Sequence, residues 1–250
     1  MQAYDKQVKK ELKEWRKKMQ ARPSFFNETS KRIQTRLNRM IPERVHQMIT
    51  TAIEKMTRAV LFGADYTTGN PKQYDSLEEL EHHVLDRIRF YRTTAAAEGA
   101  VTGFGGILFG LADFPLWLTL KMKMLFEIAS NYGYSTKDYR ERIYILYIFQ
   151  LTFSSQKQRR KVFAVIRNWE KEKEELPPDI SQFDWRSFQQ DYRDYIDLAK
   201  LLQLIPGVGA AVGAYVNHRL TEKLGKMAMN AYRNRCLCVE VLMCLCWCGY

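Results

Sequence analysis

Apolar positions recur at steps of three and four along almost the whole chain. Within residues 4–20, Val8, Leu12, Trp15 and Met19 share one face of a Lys/Glu-rich segment. That spacing predicts an amphipathic helix, ended by Arg22-Pro23-Ser24. A second helix is predicted over 28–40. Pro42 suits the first turn of a third, in which Val45, Met48/Ile49, Ala52, Met56 and Val60 line one face. Residues 63–74, with Gly69-Asn70-Pro71, read as a loop. Ser76-Leu-Glu-Glu79 matches a capping box and opens a helix with Leu77, Leu80, Val84, Ile88 and Tyr91 on one side. Pro115 interrupts or restarts the chain. A helix over about 115–131 should then end at Gly133, a natural C-cap. Further helices are predicted over 138–153, 157–175 and 183–203, with a break at Pro177-Pro178. The last runs from Pro206 to about Arg235. No stretch alternates with the two-residue period of a strand. The expected fold is all-α, a compact multi-helix domain.

Two apolar stretches rich in small residues interrupt this pattern, and the domain is expected to be built around them. The first runs from Gly99 to Ala112 and repeats small residues four apart, at Gly99/Gly103 and Gly106/Gly110. The second, Ile205 to Tyr215, does the same at Gly209/Gly213. Glycine inside a helix costs roughly 1 kcal/mol relative to alanine. Its repetition implies close backbone approach, in helix–helix packing or in lipid. Residues 99–112 are 14 uncharged positions. As a helix they would reach roughly 21 Å, short of a ~30 Å hydrocarbon core. Extension to 120 places Asp113 and Pro115 inside the span, and a central carboxylate costs roughly 2.5–3.5 kcal/mol on insertion scales. Close-packed helices, with shallow insertion at most, are therefore expected in place of a simple transmembrane span. The six glycines are candidates for helix packing or for facing a membrane.

Charge adds a direction. The formal net charge is +11. Residues 1–60 hold 15 Lys and Arg against 6 Asp and Glu, and the remaining 190 residues hold 24 against 22. The basic excess thus reads as a property of the N-terminal helices. It fits an anionic membrane surface, a nucleic acid or simply a solvated face. The opening residues carry no apolar leader, and the mean hydropathy is −0.40. All five cysteines lie at or beyond position 236, so the body has no disulfide framework, as in a reducing compartment. Three regions follow: basic amphipathic helices over 1–62, a helical core over 63–235, and an atypical Cys-rich tail over 236–250.

Candidate chemistry is sparse. Glu78/His82 and Glu79/His83 have helical metal-ligand spacing. They stand among Asp75, Glu81 and Asp86 on the polar side of their helix and read as a solvated face. The tail's C-x-C spacing differs from the C-x2-C pairs of zinc sites. No phosphate loop, H-E-x-x-H motif or Ser/His/Asp nucleophile pattern occurs, nor does a nucleic-acid-binding motif. Glu98 and Asp113 are the acids that bracket the first glycine-rich stretch. Asp113 suits an N-cap ahead of Pro115, and Glu98 has no assigned role. As paired carboxylates in apolar surroundings they support a rival reading, a membrane-associated hydrolase. A nucleic-acid binder acting through the basic N-terminus is a third class. No catalytic, cofactor-binding or metal-ligating residue is assigned, and no cofactor is expected.

Several blocks resemble one family. Ala97-Glu98-Gly99-Ala100, Gly105-Gly106, Gly110-Leu-Ala-Asp-Phe-Pro115, Glu127-Ile-Ala129 and Tyr132-Gly-Tyr134 are similar to the EcsC protein family. So are Ile205-Pro206, Gly209-Ala-Ala-Val-Gly-Ala214, Asn217 and Gly225 with Ala228. Trp15-Arg-Lys-Lys-Met19, Arg22-Pro-Ser24 and Ile41-Pro-Glu-Arg-Val-His46 resemble its members from Bacillus-type bacteria. The resemblance covers about 1–235 and implies a bacterial protein encoded beside an ABC-type transporter, with no catalytic residues to carry over. The expectation is a non-enzymatic accessory protein, peripheral or shallowly inserted at the inner face of the cell membrane. Its expected partners are the anionic membrane surface and an ABC transporter ATPase or permease, and not nucleic acid.

Overall fold

The computed structural model describes residues 3–21, 43–62, 70–102, 114–184, 186–188 and 209–242. They form helices α1 (Ala3–Gln20), α2 (Glu43–Phe62), α3 (Leu77–Thr102) and α4 (Phe114–Asn131). There follow α5 (Tyr139–Phe153), α6 (Gln156–Arg167), the single turn α7 (Trp169–Glu172), a 3-10 turn (Ile180–Gln182) and the long α8 (Gly209–Leu242). No strand occurs among the described residues, and the domain is all-α as expected. The helices predicted over 28–40 and most of 183–203 lie outside them.

Local chemistry sets the helix ends. At the start of α3 the Ser76 hydroxyl accepts the Glu79 N–H at 3.1 Å, and the Glu79 carboxylate accepts the Asp75 N–H at 3.2 Å. The box closes one residue earlier than the motif predicts. Helix α4 ends in a Schellman motif: Tyr134 N–H reaches Ala129 C=O at 3.0 Å, and Gly133 N–H reaches Ser130 C=O at 3.1 Å. Gly133 has φ +83°, a conformation that favours glycine. Asp138 caps α5 by accepting the Arg140 N–H at 2.9 Å, and Ser155 caps α6. The helix expected over 157–175 instead breaks at Asn168, whose φ −102° and ψ 19° divide α6 from α7.

Three helices position the site. Helix α3 runs antiparallel to α4, with Arg87 and Tyr91 of α3 against Glu127 and Glu81 against Tyr132. Helix α8 runs antiparallel to α3, with Ala95 opposite Asn217, Ile88 opposite Gly225 and Glu81 opposite Arg233. It is therefore parallel to α4, and Trp117 meets Asn217 as Tyr132 meets Tyr232. Helix α5 packs on α8 and α4, α2 on α4 and α5, and α1 on α6, α8 and α3. One apolar core joins them, with Ile53, Leu118, Phe126, Tyr144, Phe149, Phe153 and Tyr232 almost fully buried.

The α3–α8 contact is tight at one point. A Cβ on Gly225 would lie 2.6 Å from Ile88 Cγ1 and 2.8 Å from Cδ1. Overpacking typically costs ~1–3 kcal/mol, against about 1 kcal/mol that alanine returns in helix propensity. Gly225→Ala is expected to lower the Tm, and Ile88→Ala beside it should cost less than the two changes separately. A Tm at or above the parent's would show that the two helices are not held this closely.

Candidate functional site

The α3–α4–α8 register gives the bundle two unlike ends. At one end lie the last turns of α3, the first turn of α4 and the first turns of α8. Gly99 is in α3, and Gly209 and Gly213 open α8. Gly103, Gly106, Gly110 and Asp113 lie outside the described residues. Glu98 is on α3, but its side chain is outside the description. The described parts of both glycine-rich stretches therefore share one end, here called the apex.

Asn217 forms the floor beneath it. Its Nδ2 donates to the Ala95 carbonyl at 2.7 Å. Its Oδ1 accepts from Trp117 Nε1 and, at 3.2 Å, from Lys121 Nζ. Lys121 is 1% exposed, with its ammonium 4.9 Å from the Trp117 ring centre. One buried amide thus ties α3, α4 and α8 together where apolar packing gives way to the apex. Above it, Leu116 is 54% and Tyr215 59% exposed. The Arg219 guanidinium lies 5.5 Å from the Tyr215 ring centre. Large apolar side chains are thus left open on two neighbouring helix starts, as Met48, Phe62 and Phe90 are elsewhere on the surface.

The opposite end, the base, is held by buried ions. Glu81 is 0% exposed. It accepts from Arg233 Nε at 2.6 Å and Nη2 at 2.5 Å, from Tyr4 Oη at 2.6 Å and from Tyr132 Oη at 3.0 Å. Burial and the Glu81 carboxylate hold the Tyr4 and Tyr132 phenols well above the usual tyrosine range, so both remain donors. Arg233 also pairs with Glu11 of α1 at 3.0 Å. Two residues on, Arg235 meets Glu141 at 2.7 Å and Glu170 at 2.9 Å, and its guanidinium lies 3.8 Å from the Tyr134 ring centre. Burial pushes the Glu141 carboxyl up despite Arg235 and the 2.7 Å hydrogen bond from Tyr232. Every acid here has a cation or phenol on it, so the base reads as structure rather than as a reaction centre.

A third feature adds to the reading of charge. Helix α6 carries Lys157, Arg159, Arg160, Lys161 and Arg167 and no acid. It packs beside α1, where Trp15 meets Phe163 edge-to-face at 5.2 Å. The basic surface is thus shared between the N-terminal helix and α6. Acidic segments elsewhere in the last 190 residues conceal α6 in a regional average, although its acid-free run was visible in the sequence.

The remaining expectations sort plainly. Glu78, Glu79, His82 and His83 are exposed, and no His/Cys/Asp/Glu group among the described residues could hold a metal. Glu81, assigned to that same polar side, is instead completely buried. Its signal was its place in the step Leu77, 81, Val84, Ile88, Tyr91, where a core residue belongs. No helix of the described residues is long and apolar enough to cross a membrane. Helix α8 continues past Arg235 to Leu242, with Cys236 packed against the core.

The model of the EcsC protein family matches residues 6–237. The chain is 45% identical over 229 residues to Protein EcsC of Bacillus subtilis (strain 168), spanning 91% of this chain and 94% of that protein. It is 28% identical over 246 residues to Uncharacterized protein YdbA of the same strain, with 90% of each chain covered. No solved structure matches.

Proposed function

The chain belongs to the EcsC protein family, and on that footing we propose that it is a non-enzymatic accessory protein seated, apex inward, on the cytoplasmic face of a bacterial membrane. The observation that carries this reading is the apex: exposed Leu116 and Tyr215 beside the described parts of both glycine-rich stretches. Carried one turn beyond the Ala95–Asn217 pair, the α3–α8 register brings Gly99 level with Gly213. Small residues there would let the two helices close on each other while their outer faces meet lipid. The apex would enter only the interfacial region, as amphipathic elements do to a depth of roughly 5–10 Å. The basic surfaces of α1 and α6 would add attraction to anionic headgroups. An ABC-type transporter is the proposed neighbour, on the strength of the resemblance described above.

Membrane fractionation tests the reading. The full-length protein is expected in the membrane fraction at 0.1 M and at 1 M salt, where the Debye length shrinks from about 10 to about 3 Å. Detergent should release it, and an ABC transporter should co-purify from that extract. Release by salt alone would remove the apex from the account. Recovery in the soluble fraction after low-salt lysis would end the membrane reading altogether.

A further inference from the structure

Helix α1 can leave the bundle without stranding a buried charge. It lies against the base, where Tyr4 Oη donates to Glu81 at 2.6 Å, Glu11 pairs with Arg233 at 3.0 Å and Arg16 Nε donates to Asn234 Oδ1 at 2.8 Å. On α1 these three side chains are exposed or half-buried, so water can replace each tie. What stays behind is still paired: Glu81 keeps both bonds from Arg233 and the one from Tyr132. Val8 and Leu12 are buried but stand apart from the contiguous apolar core, which reaches α1 at Trp15 and Met19. The seat is also imperfect. Trp15 Nε1 and Asn234 Nδ2 are buried donors with no acceptor among the described residues. Such a donor forfeits the hydrogen bond that water would give it. Release of α1 wets the indole and lifts Arg16 off Asn234.

Freed, α1 has the make-up of an interfacial helix. Lys6, Lys9, Lys10, Lys13, Lys17 and Lys18 are exposed, away from the stripe of Val8, Leu12, Trp15 and Met19. Lysines on one face with leucine and tryptophan on the other mark helices that lie in the plane of a membrane surface, where an indole finds both apolar contact and water. The docked position withholds those lysines from the apex. Arg233 stands 16 residues along α8 from Asn217, roughly 24 Å at the helical rise and more than twice the Debye length of about 10 Å in 0.1 M salt. With the apex at lipid, the α1 lysines act fully on headgroups only after release. Residues 21–42 join α1 to α2, and 22 residues span at most roughly 75 Å, enough for that distance.

We propose that α1 is a detachable arm, which leaves its seat on the bundle and lays the Val8, Leu12, Trp15 and Met19 stripe into an anionic lipid surface. The lipid destination rests on the membrane reading above, whereas the opening of α1 does not. The docked helix covers its own apolar stripe with the base of the bundle, so the protein carries a second lipid-binding element that is hidden until α1 opens.

The test uses full-length protein with and without phosphatidylglycerol vesicles. Without lipid, the α1 amides should exchange with solvent through an opening that leaves α3, α4 and α8 protected. Tyr4→Phe should speed that exchange about tenfold, through loss of a hydrogen bond to a carboxylate. Phe163→Leu, which weakens the seat from the α6 side, should speed it about two- to tenfold, through loss of the edge-to-face contact with Trp15. Both variants should bind vesicles more tightly by up to the same factors, because more of the protein is already open. A purely structural α1 would give unchanged or weaker binding. With the protein fully vesicle-bound, brominated acyl chains should quench less intensity in Trp15→Phe than in the parent. Exchange of α1 no faster than that of α3 and α8 in all these proteins would overturn the proposal. So would equal quenching of the parent and Trp15→Phe, which would leave the apex reading standing with α1 docked. An α1 that opens in a protein that binds no vesicles would overturn the membrane reading, and the lipid destination with it, and leave the opening in place.

Discussion

Glu81→Gln is expected to lower the Tm by roughly 6–20 °C. Breaking a buried ion pair by removing one partner costs about 3–5 kcal/mol, and a chain of this size loses roughly 2–4 °C per kcal/mol. The geometry places Glu81 among the costlier cases. Its carboxylate takes two hydrogen bonds from Arg233 and one each from Tyr4 and Tyr132. Glutamine would keep the shape but turn an NH2 donor toward one of these donors, and Arg233 would lose its fully buried counter-charge. Replacing the pair together, Glu81→Leu with Arg233→Met, should recover part of the loss, since apolar pairs of similar volume substitute well for buried ions, while the Tyr4 and Tyr132 hydroxyls lose their acceptor. Thermal melts of the parent, the single variant and the double variant decide the matter. A Glu81→Gln protein that melts with the parent would show that α3, α1 and α8 are not joined through this carboxylate.

Leu116→Asp with Tyr215→Asp is expected to weaken association with anionic vesicles by roughly 10- to 10²-fold, since each side chain is only about half exposed in the free protein and so has about half of the roughly 1.5–3 kcal/mol of full burial left to gain. Both residues are more than half exposed at the apex, so the Tm should stay close to the parent's. The pair also adds two negative charges, so Leu116→Ser with Tyr215→Ser separates lost apolar contact from charge repulsion. The serine pair should retain most of the loss. Vesicle binding equal to the parent's in both double variants would mean that the apex does not enter lipid, however basic the flanks.

Much of the fold was legible because one period runs through it. The α1 stripe is buried at Val8, Leu12 and Met19, with Trp15 packed against the core. The ends of α3 and α4 fall where Ser76, Glu79 and Gly133 place them. The polar members of the core were harder to see, because periodicity arguments treat a charge as a sign of solvent. Glu81, Lys121 and Arg235 all stand on buried helix faces. Each needs a partner distant in sequence: Arg233, Asn217 and Glu141 respectively. A stripe can locate such a residue, but only the assembled bundle supplies its mate. The same holds for the apex. The two glycine-rich stretches are separated by 92 residues of chain, and no local pattern says that α3 ends where α8 begins. Asn217 and Gly225, which entered through a family resemblance, acquire physical reasons here: one is a three-helix tie, the other a contact with no room for a methyl group.

Arg233 and Arg235 are two residues apart on α8, and two residues turn a helix by about 200°. One therefore faces Glu81 on α3 while the other faces Glu141 on α5, across the helix axis. Together they act as a key with teeth on opposite sides of the shaft. Helix α8 can be seated in the bundle at one angle only, because any turn about its axis withdraws both teeth at once. Gly213 and Asn217 lie on the same shaft toward the apex, so their bearing is set from the base. One residue more or fewer between Asn217 and Arg233 would turn the apex by about 100° relative to that lock. The distance along the chain from amide tie to arginine pair is thus a fixed dimension of this domain, whatever substitutions its surface accepts.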